Sequence, residues 1–219
     1  MGPLCIKQTL NFIVMKNTSY TLAKAGYIFS YANKVAFLLI LILINTACQK
    51  SKFKTPMEGE KYGGGIVLHI FTPNEKGYVI GETHGIIVAE KDLHGLKSFG
   101  LTQVNLSGLT SSDIGFGKSN TEAIVNAYPD SATAAKFCND VKINYYDDWF
   151  LPSINELNLI FEKRHSIGNF SSDYSSHYWA STSYDDETSS GAFSRFFNTA
   201  SICIKSKDEL FHIRPVRYF

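Results

Sequence analysis

The sequence predicts a single α+β domain over residues 59–219. Helix start signals and apolar stripes gather in the middle of the chain, and strand-like runs joined by turn residues flank them on both sides. Neither an internal repeat nor a second linker interrupts this span, so one core is the economical arrangement.

Tyr62-Gly63-Gly64-Gly65 opens the apolar run Ile66–Phe71. Thr72–Gly77 has turn composition and Tyr78–Ala89 continues with strand-like residues, so a β-hairpin or meander is expected. Residues 98–118, rich in Gly, Ser and Thr, predict a long irregular connection. Ser119-Asn120-Thr121-Glu122 has the spacing of a capping box, in which Ser and Glu side chains satisfy free backbone N–H groups reciprocally. The short helix behind it stops near Pro129. A second helix starts at Asp130 or Ser131 and runs to about Val141, with Ala134, Ala135, Cys138 and Val141 on one face. Ser153-Ile154-Asn155-Glu156 is a second capping box, and Ile154, Leu157, Ile160 and Phe161 form a buried stripe behind it. Short strands are expected at Tyr178–Tyr184, Ala192–Asn198, Ser201–Lys205 and Leu210–Tyr218.

The N-terminus speaks to location. Lys34 precedes the apolar run Val35–Ile44, and Asn45-Thr46-Ala47-Cys48 follows. A positive region, an apolar run and a small-residue exit form the layout of a secretory signal. Charge-free Val35–Ala47 is short of the roughly 20 residues a membrane-spanning helix needs. Thr46-Ala47-Cys48 resembles the lipobox of bacterial lipoproteins, whose cysteine is lipidated, although Asn45 stands where that motif carries an aliphatic residue. Residues 1–47 are therefore expected to be a signal peptide, with Met15 as an alternative start that leaves Met1–Val14 and Cys5 upstream. Residues 48–58, polar and proline-containing, would be the lipidated Cys48 and its tether, attaching the chain to a membrane. Gln49, in place of the Asp that retains lipoproteins in the inner membrane, favours the outer membrane of a bacterial envelope. The alternative is a short membrane anchor or a buried hydrophobic segment.

Residues 1–48 carry Lys7, Lys16, Lys24 and Lys34 and no acid, which leaves 17 basic against 20 acidic side chains, net −3, in the remainder. That balance argues against a nucleic-acid partner. Six histidines form no HExxH pair, and Cys138 and Cys203 have no CxxC partner, so neither a metal nor a cofactor is expected. No Gly-x-Ser-x-Gly elbow or Cys-His signature appears, so no catalytic residues are assigned. Gly63-Gly64-Gly65 precedes a strand and lacks the Lys of a phosphate loop, which suits a place where another backbone comes close. Asp147-Asp148 suits a structural role, and Asp185-Asp186-Glu187 a solvated turn. In an oxidising compartment Cys138 and Cys203 are candidates for one disulfide, which would close about 65 residues and stabilise by about 4 kcal/mol. The alternative is two buried free thiols. The positive feature is a set of aromatic residues, among them Tyr145, Tyr146, Tyr174, Tyr178 and Tyr184, set among Asn, Ser, Asp and Arg. Such rings suit sugars and protein partners, although most are expected in the core.

The segments together resemble the family of unknown function typified by the C-terminal domain of the Legionella collagen-like protein, of which the Fibrobacter major paralogous domain is another type. The resemblance runs from about Gly59 to Phe219. It rests on Tyr62–Val67, His84–Ala89, Ile114–Thr121, Asp148-Trp149-Phe150-Leu151-Pro152-Ser153 with Glu156-Leu157, Tyr178-Trp179-Ala180-Ser181-Thr182, and Arg214-Pro215-Val216-Arg217. It implies a C-type-lectin-like fold, with helices packed on twisted antiparallel strands and long loops. In that arrangement Cys138 and Cys203 could meet, and Trp149–Pro152 would be a fold determinant: a buried Trp, then a Pro and a cap that start a helix. The family implies export, and its type member adheres to sulfated glycosaminoglycans. Such binding needs a basic cluster, for which Lys205, Lys207, Arg214 and Arg217 are the residues at hand.

The expected function is that of a lipid-anchored, non-catalytic binding or adhesion module for extracellular carbohydrate or protein. The expected ligand face combines Tyr178, Tyr184, Arg195, Arg214 and Arg217. The alternatives are a structural envelope protein whose partner is another copy or an assembly subunit, and an enzyme of lectin-like fold.

Overall fold

The computed structural model describes residues 55–171, 176–186 and 190–219. The signal segment, Met15, Cys48 and Tyr174 lie outside the described residues. Lys54–Phe219 forms one compact α+β unit.

Four strands make an antiparallel sheet in the order β1 (Lys61–Tyr62), β2 (Gly65–Ile70), β3 (Gly85–Val88), β9 (Val216–Tyr218). A second antiparallel sheet has the order β5 (His177–Asp185), β6 (Ser190–Phe196), β7 (Ser201–Lys205), and a short ladder joins β4 (Lys97–Ser98) to β8 (Leu210–Phe211). Between them in sequence come α1 (Gly117–Ala127), α2 (Ala134–Asp140), α3 (Ile154–Glu162) and the single turn α4 (Arg164–Ile167). Isolated bridges tie the parts together, Phe150 to Val216 and Tyr178 to His212.

Period-two burial explains the first sheet. Leu68, Ile86 and Val88 face a core shared with Phe150, Leu157, Ile160, Tyr178 and Val216, while Val67 and Ile87 face a smaller cluster around Trp149. A third cluster packs Ile124, Ala134, Ala135 and Cys138 of α1 and α2 against Trp179, Phe211 and Ile213. The small residues Ala134, Ala135 and Cys138 let α2 pack closely on α1, which in turn lies on β5. Gly65 is required by its neighbour strand: a Cβ there would run into the Val88 carbonyl.

The helix at Ser153 starts as its sequence predicts. Ser153 Oγ accepts from Glu156 N, Glu156 returns the bond to Ser153 N at 2.8 Å, and the Ile154, Leu157, Ile160, Phe161 stripe is buried. Trp149 is buried, with its Nε1–H donating to the Tyr146 carbonyl at 3.1 Å.

Other elements differ from expectation for local reasons. The turn at Thr72–Gly77 forms as expected, with Glu75 accepting from Thr72 N at 2.7 Å and contacting His69 at 2.8 Å, but the strand expected from Tyr78 begins only at Gly85. The expected last strand is split, because residues 212–215 leave one sheet for the other and send the Arg214 side chain inward. The helix expected to begin at Ser119 begins at Gly117, and its cap residue Phe116 offers no side-chain acceptor. Glu156, from α3, does that work. Its Oε1 accepts from Gly115 N at 2.9 Å, Gly117 N at 3.5 Å and the Tyr218 hydroxyl at 2.8 Å. A Cβ at Gly117 would collide with this carboxylate and with the Phe150 ring.

The 98–116 connection is irregular as expected, yet firmly held. Asn120 Oδ1 accepts from Ser111 N at 2.9 Å, Thr182 Oγ1 donates to the Ser111 carbonyl at 3.1 Å, and Ser153 Oγ donates to the Asp113 carbonyl at 2.9 Å. Asp185 also holds it, which corrects the expectation of a solvated turn at that residue, while Asp186 is exposed as expected and Glu187 lies outside the described residues. The Asp185 side chain is fully buried against the equally buried Lys207 at 2.6 Å and accepts from Leu106 N at 3.0 Å. Lys207 Nζ donates onward to the Val104 carbonyl at 2.8 Å. Burial raises the Asp185 pKa, but Lys207, Ser190 and the Leu106 N–H outweigh it and hold the carboxyl below its ordinary value.

Glu156→Ala leaves several buried donors without a partner, each costing about 1–3 kcal/mol. We predict a loss of at least about 3 kcal/mol in urea unfolding, with a smaller loss for Glu156→Gln, which keeps one acceptor oxygen. Equal and negligible losses for both variants would contradict the role given to Glu156.

Candidate functional site

The structure removes most of the expected ligand face from the surface. Tyr178 is fully buried; its hydroxyl donates to Asp92 Oδ2 at 2.7 Å and accepts from Ser171 N at 2.8 Å. Burial and the Asp92 carboxylate push its phenol pKa well up. Arg214 is fully buried too. Its Nε reaches Asp92 Oδ1 at 2.5 Å, its Nη1 the Ala89 carbonyl at 3.1 Å and its Nη2 the Asn169 carbonyl at 2.6 Å, with the guanidinium lying over the Phe170 ring. Arg217 forms a two-point pair with Asp148 at 2.6 and 2.9 Å, donates to the Gly63 carbonyl at 3.1 Å and covers the Tyr146 ring. The Arg217 hydrogen bonds hold the Asp148 carboxyl below its ordinary value. These three residues are structural because a loop-rich core needs multidentate donors for its free carbonyls.

Tyr184 and Arg195 stay nearer the surface and share one face of the β5–β6–β7 sheet, with Phe193 between them. Tyr184 donates to Asp186 at 2.9 Å, and Arg195 Nη1 donates to Asn158 Oδ1 at 2.5 Å over the Phe161 ring. The basic cluster imagined at the C-terminal end does not assemble. Lys207 and Arg214 are buried in ion pairs, Arg217 is taken by Asp148, and Lys205 lies 3.8 Å from Glu209.

The expected Cys138–Cys203 disulfide is corrected as well, for both thiols are free. Cys138 points from α2 into the cluster with Ile124 and Trp179, where burial pushes its pKa far up. Cys203 sits half-buried on β7, in register with Ser194.

The site that the fold presents to solvent lies elsewhere. Ile143 and Tyr146 exchange backbone hydrogen bonds at 2.9 and 3.0 Å, closing a two-residue turn at Asn144 and Tyr145. Both central residues take the left-handed conformation, φ 50° and 72°, which the mirror-image hairpin turn demands. Asn tolerates it; Tyr does so at a cost of about 1–2 kcal/mol. Yet Tyr145 is 94% exposed, so little burial of its ring offsets that cost. The turn is pinned from below. Asn144 Nδ2 donates to the Gly64 carbonyl at 2.9 Å, and a Cβ on Gly64 would meet the Tyr146 ring.

Beside the turn lies an open hollow of about 260 Å³, lined by Lys61, Tyr62, the three glycines 63–65, Glu90 and Asn144. Tyr62 is 47% exposed and rests edge-on against Phe219. Lys61 and Glu90 form an exposed ion pair at 2.8 Å on the rim. A second hollow of about 420 Å³, lined by Ala89–Leu93, Ile143 and Asn144, shares Glu90 and Asn144 with the first. Sequence reasoning noted Tyr145 as one of many aromatics but gave it no role. Asn-Tyr is a poor turn signal beside Asn-Gly, so the hairpin that presents it passes unnoticed. Among the described residues, no group of three or more His, Cys, Asp or Glu side chains is placed to hold a metal ion, and no helix is long and apolar enough to cross a membrane.

The family model described as the Lcl C-terminal domain matches residues 106–217, just over half of the chain. The motifs at 62–67 and 84–89 lie ahead of the matched segment. The comparison with curated proteins returned no match.

If Tyr145 is kept for contact with a ligand and not for folding, Tyr145→Gly should stabilise the protein. Glycine bears no left-handed penalty, so about 1 kcal/mol and a rise of about 2–4 °C in melting temperature are expected; a fall would show that the ring supports the fold. The Asp148–Arg217 pair contributes stability that is present above the ordinary carboxyl value of 3.8 and lost as pH falls through the lower folded-state value. Asp148→Asn should therefore flatten the acid limb of stability measured against pH, and an unchanged limb would remove the pair from the acid transition.

Proposed function

The chain belongs to the Lcl C-terminal domain family, and from that premise we propose that it is an exported bacterial lipoprotein whose domain binds extracellular carbohydrate or protein without chemical turnover. The observation that carries this reading is Tyr145, held fully in solvent on a turn conformation that costs stability. The signal-like segment ending at Cys48 supports export and a lipid anchor in the bacterial envelope, with the outer membrane favoured by Gln49. Short antiparallel strands, packed helices and long pinned loops are in keeping with a C-type-lectin-like arrangement. No cofactor, metal or nucleic acid enters this reading.

One observation favours assembly as a second reading. The edge strand β7 turns Ile202 and Ile204 outward, 47% and 45% exposed, with Leu210 also exposed. An apolar edge of this kind is a ready surface for another copy or an envelope subunit.

The protein recovered from its native membrane fraction should begin at Cys48 and carry the mass of two or three acyl chains. Incubated with glycans and envelope proteins, it should return any retained ligand unchanged in mass. An unlipidated soluble chain would overturn the anchor, and a ligand returned cleaved or modified would overturn the non-catalytic reading.

A further inference from the structure

We propose that the hollow between the Gly63–Gly65 turn and the Asn144–Tyr145 turn is a carbohydrate subsite that takes one uncharged hexopyranose ring of a longer oligosaccharide. This rests on the binding-module reading and names the ligand class of its face. A volume of about 260 Å³ falls just below the roughly 300–1,000 Å³ typical of drug-sized ligands, which suits a single ring and not a nucleotide-sized cofactor. The hollow's floor is backbone, because the three glycines present no side chain.

Tyr62 in the wall and exposed Tyr145, which follows Asn144 of the lining in the chain, offer flat apolar faces with hydrogen-bonding tips, the chemistry that packs against the C–H face of a pyranose while leaving its hydroxyls free. Lys61 and Glu90, 2.8 Å apart, set a donor beside an acceptor, which a pair of adjacent sugar hydroxyls can bridge. The Asn144 amide is committed through Nδ2 to Gly64, which leaves its oxygen to accept.

Charge selects against acidic sugars. Glu90 offsets Lys61, and Arg217, beneath the turn on the Tyr146 ring, is neutralised by Asp148. A sulfate or carboxylate placed in this hollow would meet Glu90, and the lining cation, Lys61, is already paired with that carboxylate; Lys91 lines the adjoining hollow instead. The adjoining 420 Å³ hollow, which shares Glu90 and Asn144, gives neighbouring sugar units a path and makes an oligosaccharide the fitting length.

The test is calorimetric titration of the full chain with cellohexaose, maltohexaose, mannohexaose and chitohexaose, with heparin as the anionic comparison. At least one neutral hexaose should bind with an affinity almost independent of salt. Tyr145→Ala and Glu90→Ala should each weaken it roughly ten-fold, as loss of a central contact does. Both side chains are exposed enough for the variants to keep their fold, which their melting temperatures verify. A neutral hexaose bound equally by wild type and both variants would place the sugar elsewhere, overturning this subsite while the carbohydrate reading stands. Binding of heparin alone, falling steeply with salt, would also overturn it and leave a glycan module of different selectivity. Binding of no saccharide would overturn both the subsite and the carbohydrate half of the proposed function, leaving a protein ligand.

Discussion

Strands in this domain are two to nine residues long, so much of the backbone must find partners outside regular ladders. Glu156 is where that constraint is met most economically. One buried carboxylate closes the cap of α3, receives the free N–H groups at the start of α1 and anchors the Tyr218 hydroxyl on the last strand. Three segments far apart in sequence are thereby fixed to one point. Burial pushes its pKa up, while the surrounding donors pull in the opposite sense, the balance expected of a desolvated carboxyl ringed by hydrogen bonds.

The same device recurs wherever a loop crosses the core. Asp92 gathers Arg214 and Tyr178, and Arg214 in turn satisfies carbonyls of residues 89 and 169. Lys207 and Asp185 lock the 98–106 segment to β5. Removing one member of such a pair leaves an uncompensated buried charge, so these residues are fixed by the fold and unavailable to a ligand. What remains for recognition is the minority of side chains that the core does not use. Tyr62, Lys61 and Glu90 are of that kind and line one hollow, and exposed Tyr145 follows Asn144 of the same lining.

Legibility in the sequence followed the range of the interactions. The α3 cap, its apolar stripe and the hairpin strands β5 to β7 are set by neighbours close in sequence, and those were readable, whereas the split of the last strand was not. The start of α1 was not, because its cap comes from Glu156, some 40 residues on, while Ser119 and Glu122 imitate a local box. Arginines and tyrosines near the C-terminus have the composition of a binding face, and only the fold shows that Arg214 and Tyr178 spend their polar atoms on Asp92. Cys138 and Cys203 look like a pair by count alone; one belongs to an inward helix face and the other to an edge strand. The hairpin at Asn144 was hidden by its tyrosine, which no turn rule favours and which now marks the candidate site.

Native-state hydrogen exchange on the amides of Gly115, Gly117 and Ser153 tests most directly the claim that buried charge holds these loops. All three donate to Glu156, and none is inside a sheet. They should exchange as slowly as the amide of Ile87 in β3, opening only when the whole domain unfolds. If they exchange orders of magnitude faster while Ile87 remains protected, the loops open independently of the core and Glu156 is not what secures them.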